Sequence, residues 1–167
     1  MLTIHSRGES ETIEIARRLG ASLKGGEVLA LTGTLGAGKT VFVKGLAQGL
    51  DIKDVITSPT FVIVKTYHGR LPLHHVDFYR LERIDDLATI GFEDLFEENT
   101  VVAIEWAEKF SSALPDSFLQ ISIFYVGERS RRFQFQATGN PQWENQLAQI
   151  FAPYGVIRET QSPKFKP

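Results

Sequence analysis

The chain has 167 residues, 18 Lys and Arg against 20 Asp and Glu for a formal net charge of −2, and 43% hydrophobic residues, the balance of one ordinary domain with one core. Cysteine is absent, which excludes a disulfide framework, thiolate zinc sites and cysteine nucleophiles together. No stretch supplies the ~18 apolar residues of a membrane span and Met1–Arg7 leads into no signal-peptide core, so the expectation is a cytoplasmic protein without membrane contact. A pI near 6.1 gives no general attraction to nucleic acid, and RNA contact would need a local patch or a partner.

Taken in chain order, Ser10 is placed to cap a helix with Glu11 and Glu14 in its first turn and Ile15, Leu19 and Leu23 on one face, stopped at Gly25-Gly26. Glu27–Thr32 is an apolar run of strand length, Gly33–Gly38 a glycine-rich turn, and Lys39–Leu50 a helix presenting Val43, Leu46, Ala47 and Leu50. Thr60–Tyr67 and Leu71–Phe78 read as an antiparallel hairpin across His68-Gly69-Arg70. Leu81–Phe96 has helical spacing broken at Gly91. Thr100–Glu105 is a buried-strand run that belongs beside Glu27–Thr32. Phe118–Val126 and Arg131–Ala137 alternate apolar with polar residues across Gly127–Ser130, and Pro141–Phe151 is a closing helix. The order predicts an α/β fold: a mostly parallel sheet flanked by helices, with antiparallel hairpins, in one domain over residues 1–157 and a loose tail over 158–167.

Gly33-Thr34-Leu35-Gly36-Ala37-Gly38-Lys39-Thr40 has the spacing G-x-x-x-x-G-K-[ST] and lies between a predicted strand and a predicted helix. Background frequencies give ~0.006 chance matches in such a chain. Glycines let backbone N–H groups and the helix N-terminus wrap a phosphate chain, Lys39 reaches its terminal phosphates, and the Thr40 hydroxyl suits Mg²⁺. A hard cation also needs a carboxylate. Glu105 at the end of a buried strand and Asp77 at the end of the hairpin strand are the candidates, Asp77 sharing a face with His75. His74-His75 lack a third ligand of suitable spacing for a transition metal. Neither N-K-x-D nor D-x-x-G is present, which disfavours a guanine-specific GTPase. A small-molecule kinase stays open, with Arg129, Arg131 and Arg132 as a charged lid.

Beyond the loop come Ser58-Pro59-Thr60-Phe61, His75-Val76-Asp77-Phe78-Tyr79-Arg80-Leu81 and Ile104-Glu105-Trp106. The order and spacing of LGAGKT, SPTF, HxDxYRL and IEW, over roughly Glu9 to Arg132, resemble the TsaE (YjeE) family, ATPases required to make threonylcarbamoyladenosine in tRNA. The resemblance implies a P-loop ATPase in which Gly33, Thr34, Leu35, Gly36, Ala37, Gly38, Lys39, Thr40 and Val41 hold ATP. It implies that Thr40 and Glu105 bind Mg²⁺, and that Asp77 is an essential acid at the metal or the attacking water. Ser58 and Thr60 would sit in a loop, Thr57–Phe61, that senses the γ-phosphate. Trp106 would be core, nucleotide neighbour or partner anchor, and Glu9, Ser10, Thr12 and Arg129 would lie on the adenine side. The implied partners are TsaD and TsaB homologues, reset by ATP turnover; tRNA is expected to be met indirectly or weakly, and the oligomeric state stays open, with a monomer one option for the isolated chain. A nucleotide-gated binding module with incidental hydrolysis is the alternative. One departure is Thr34, where the family usually has Asp. The backbone and Lys39 make the phosphate contacts, so the change bears on water orientation, with slower hydrolysis one outcome. A second is Val41-Phe42-Val43 in the following helix, where relatives more often carry threonines; the apolar face is kept.

Overall fold

The first residues form a strand that the sequence reading did not include. In the computed structural model, which describes residues 1–155, 157 and 158, β1 (Leu2–Ser6) buries Leu2 and Ile4 while His5 is exposed. Its partners are distant in sequence: Leu2 pairs with Phe135 and Ile4 with Phe133. Helix α1 (Glu9–Ser22) follows, and its cap is Gly8 rather than Ser10, which falls within the first turn. Glu11 reaches back instead, its Oε2 accepting from the Arg7 N–H at 2.7 Å.

Among the described residues, eight strands form one sheet in the order β3-β4-β5-β2-β6-β7-β1-β8. The remaining strands are β2 (Val28–Thr32), β3 (Val64–Tyr67), β4 (Leu73–Asp77), β5 (Val101–Glu105), β6 (Phe118–Tyr125), β7 (Arg131–Thr138) and β8 (Ile157–Arg158). The run β4-β5-β2-β6 is parallel, and antiparallel pairings extend it on both flanks. β5 therefore lies beside β2, as expected. β2 is apolar on both sides because both sides are covered: Leu29 and Leu31 pack with α1 and with α2 (Lys39–Gly49), while Val28 and Ala30 pack with Val76, Phe78, Phe92 and Val102 on the other face.

Three sequence expectations are corrected. Residues 60–63 are not strand, because Pro59 starts a turn whose carbonyl accepts from Val62 and Ile63, and Ile63 adopts φ 68°. Within Leu81–Phe96 the break at Gly91 falls where expected, with φ 64°, but the helical part shrinks to the short α3 (Asp86–Thr89) and a 3₁₀ turn, Phe92–Leu95. Of the tail read from Arg158 to Pro167, Arg158 pairs with Leu2 in β8, and 159–167 lie outside the described residues. The closing helix is present as α4 (Gln142–Ile150), its Trp143 and Leu147 buried. No helix among the described residues is long and apolar enough to cross a membrane.

The two helices behind the phosphate loop pack through glycine. A Cβ at Gly45 would overlap the carbonyl oxygen of Ile13, and one at Gly20 would overlap that of Leu46, so α1 and α2 approach at a backbone-to-backbone distance only glycine permits. Arg70, in the β3–β4 turn, finishes α1 by donating to the carbonyls of Leu23 at 2.9 Å and Gly20 at 3.0 Å. Phe42 of α2 meets Phe133 of β7 at a ring-centroid distance of 5.5 Å, seating the helix on the sheet. Gly45→Ala is expected to cost about 1–3 kcal/mol by overpacking. The check is the urea midpoint at constant m-value, and an unchanged midpoint would show that the helices have room to separate.

Candidate functional site

The loop Gly33–Gly38 leaves the C-terminal end of β2 and enters α2. Gly38, at φ 107°, turns the chain into the helix through a conformation that side-chain-bearing residues rarely adopt. Lys39 is almost fully buried. Its ammonium donates to the carbonyls of Gly33 at 2.6 Å and Thr34 at 3.1 Å and lies 3.9 Å from the centre of the Trp106 ring. Burial pushes the Lys39 pKa down from its ordinary value, and the negative charges of Glu105, Glu108 and Asp77 oppose that shift.

Two carboxylates stand next to each other at the ends of neighbouring parallel strands. Asp77 of β4 and Glu105 of β5 are in register, and only 2% and 4% of their surfaces are exposed. Oε1 of Glu105 accepts the Thr40 hydroxyl at 2.7 Å and meets Nε2 of His75 at 2.8 Å. Oδ2 of Asp77 accepts the Thr60 hydroxyl at 2.6 Å, and Oδ1 accepts the Tyr79 N–H at 2.8 Å. Ser58 and Thr60 share a hydroxyl–hydroxyl bond of 2.6 Å. The loop Thr57–Phe61 is thereby tied to Asp77, and α2 to Glu105.

The loop divides two clefts. One, of about 470 Å³, is lined by Leu35, Gly36, Ala37, Gly38, Lys39, Thr40, Val41, Ser58, Thr60, Phe61, Asp77, Tyr79, Glu105 and Trp106. The other, of about 750 Å³, shares Gly36, Ala37, Gly38 and Val41 and adds Arg7, Gly8, Glu9, Ser10, Glu11, Thr12, Glu128, Arg129 and Arg131. Apart from Gly33 and Thr34, the predicted residues fall into two groups that meet at the loop. Thr12 takes part as a wall, since its hydroxyl is bonded to Ser6 Oγ at 2.9 Å. Gly33 and Thr34 line neither cleft; they face a third hollow with Glu108 and Gln120, and the Thr34 carbonyl serves Lys39.

Two contacts at the site were not foreseen. Arg131 donates from Nε to the Ala37 carbonyl at 2.9 Å and stacks 4.1 Å from the centre of the Tyr125 ring, which joins the β6–β7 hairpin to the loop. The cluster of Arg129, Arg131 and Arg132 marks the hairpin in the sequence, but spacing does not reveal which guanidinium turns inward. His75 is visible as a strand histidine, and its bond to Glu105 depends on strand order.

A glycine-rich loop that joins a central parallel strand to a helix, with acidic side chains at the ends of the adjoining strands, defines a P-loop protein of the α/β class. The family model for "Threonylcarbamoyl adenosine biosynthesis protein TsaE" matches residues 6–133. The tRNA threonylcarbamoyladenosine biosynthesis protein TsaE of Bacillus subtilis is 45% identical over 131 residues, covering 78% of this chain and 82% of the relative. That of Treponema pallidum is 43% identical over 126 residues, 75% of this chain and 93% of the relative. A crystal structure of Bacillus subtilis YdiB superposes with a TM-score of 0.76 at 35% identity, covering 92% of this chain and 95% of that one. The chain belongs to the TsaE family.

Arg131→Ala is expected to speed amide hydrogen exchange at residues 36–38 while costing about 1 kcal/mol in global stability. Exchange unchanged at those amides would show that the loop holds its shape without the hairpin.

Proposed function

We propose that the protein binds ATP with Mg²⁺ in the cleft between Gly36 and Trp106, hydrolyses it slowly, and uses the nucleotide state to control partner proteins in threonylcarbamoyladenosine modification of tRNA. The observation that carries this reading is the convergence of Lys39, Thr40, Asp77 and Glu105 on one side of a glycine-rich loop. Family membership and the names of the relatives support the pathway.

The donors suit the cation. Thr40, Glu105 and Asp77 offer oxygen only, and among the described residues no three His, Cys, Asp or Glu side chains form a closed metal cage. That is the pattern for Mg²⁺, which takes one or two protein oxygens and completes its shell with water and phosphate. Bound there, Mg²⁺ would withdraw charge from the phosphate oxygens. Lys39 stabilises the negative charge that builds on the terminal phosphates, and the backbone N–H groups of Gly36–Lys39 hold the chain in place. The γ-phosphate passes to water, the bond to the leaving ADP oxygen breaks, and the proton is lost to solvent or a carboxylate. Of the two acids, Asp77 has both oxygens engaged by the 57–61 loop and Tyr79, whereas Glu105 has only Oε1 engaged among the described residues. Glu105 is the better placed to orient water. Asp77 is the better placed to report the state of the loop.

The loop carries that report to the surface. Phe61 and Val62 follow Thr60 directly and are 83% and 57% exposed. Homologues of TsaB and TsaD are the partners we assign, with tRNA met through them in the cytoplasm, and the isolated chain is taken to be a monomer.

Glu105→Gln is expected to lower ATP turnover by about 10²-fold or more and to keep ATP binding, whereas Lys39→Ala weakens binding itself. Phosphate release and filter binding separate the two. Turnover of Glu105→Gln equal to the native rate would overturn the assignment. Adding TsaB and TsaD homologues with tRNA is expected to raise turnover, and indifference to them would remove the control function.

A further inference from the structure

We propose that His75 is a positioning residue that aims Glu105, an inference that rests on the ATPase reading above. His75 lies in the interior of β4 and is completely buried. Its Nε2 meets Oε1 of Glu105 at 2.8 Å, the same oxygen that takes the Thr40 hydroxyl at 2.7 Å. A carboxylate accepts, so Nε2 carries the proton in this pair. The other ring nitrogen, Nδ1, is buried with no hydrogen-bond partner. A strand interior packed between two covered faces gains nothing from a histidine with an orphaned nitrogen, because an apolar side chain would fill the place without that penalty.

What the histidine does supply is direction. Thr40 grips Oε1 from the helix and His75 grips it from the sheet, so the carboxyl group cannot rotate about its last torsion without losing both bonds. Oε2, without a protein hydrogen bond among the described residues, is then the oxygen turned to water or cation. The position is a trade of stability for orientation, as is common where a side chain is held for function.

The test compares His75→Leu, His75→Asn and His75→Gln in the full chain. Gln places an amide N–H near the position of Nε2, and Asn places one near Nδ1. Thermal melts, ATP turnover and the Mg²⁺ concentration that half-saturates ATP binding, followed by intrinsic tryptophan fluorescence, are measured for each. Expected are kcat values down ~10–100-fold for His75→Leu and His75→Asn, a larger loss than any fall in melting temperature accounts for. KM for ATP should stay within about threefold, because Lys39 and the loop are untouched. The Mg²⁺ requirement rises in both variants and returns toward the native value in His75→Gln. Native turnover and Mg²⁺ dependence in all three variants, or activity falling only in step with melting temperature, would overturn the proposal. If the native protein binds ATP but does not hydrolyse it, the ATPase reading fails, and the Mg²⁺ dependence of binding decides for or against His75 by itself. If His75→Leu fails to fold, His75→Asn against His75→Gln decides.

Discussion

A carboxylate at the end of a strand buried on both faces has to be satisfied by the protein around it, and the site is arranged by that requirement. Glu105 closes β5, where Val101 to Ile104 leave no polar neighbour in the strand. Its partners come from outside the strand: a hydroxyl from the first turn of α2 and an imidazole from β4. Because the hydroxyl belongs to Thr40, satisfying Glu105 also fixes the rotation of α2 and with it the loop that ends in Lys39. Because α2 must sit that deep, it can meet α1 only through glycine.

Beside it, the second carboxylate faces a different neighbour. Asp77 and Glu105 are one strand apart and in register, yet one is bonded to the 57–61 loop and the other to a helix. The segments just beyond them are fastened together as well. Lys109 donates to the carbonyls of Tyr79 at 2.7 Å and Leu81 at 2.6 Å, and the Tyr79 and Trp106 rings lie 5.0 Å apart. Trp106 has φ 57°, an uncommon conformation for an aromatic residue, and that turn is what brings its ring under the Lys39 ammonium. Both acids are thus mounted on a common rigid end of the sheet while their outer contacts differ.

The parts legible in the sequence are those decided over a few residues. β2, the loop and α2 follow one another within a single strand–turn–helix unit, and β5 shows itself as an uninterrupted Val/Ile run. What escaped depends on partners far along the chain. β1 is five residues with weak alternation, made a strand by β7, and the 60–63 stretch, apolar enough for a strand, is diverted by the Pro59 turn and the bond from Thr60 to Asp77. Arg131 and His75 belong to the same category, since strand order alone decides which backbone or carboxylate each one meets. The motif residues lie round one loop, and the geometry divides most of them between two clefts.

The pairing of β1 with β7 has a consequence for how the molecule is put together. β1 cannot find its place until residues 131–138 exist, so its edge of the sheet closes after the centre. Glu9, Ser10 and Thr12 hang directly from that strand, while Lys39, Thr40, Asp77 and Glu105 belong to strands and a helix already adjacent in the parallel centre. The cleft of Lys39, Thr40, Asp77 and Glu105 can therefore assemble from the middle of the chain. The other cleft waits for β7, and a chain cut short before β7 would keep the motif and lose the cleft on the Glu9 side.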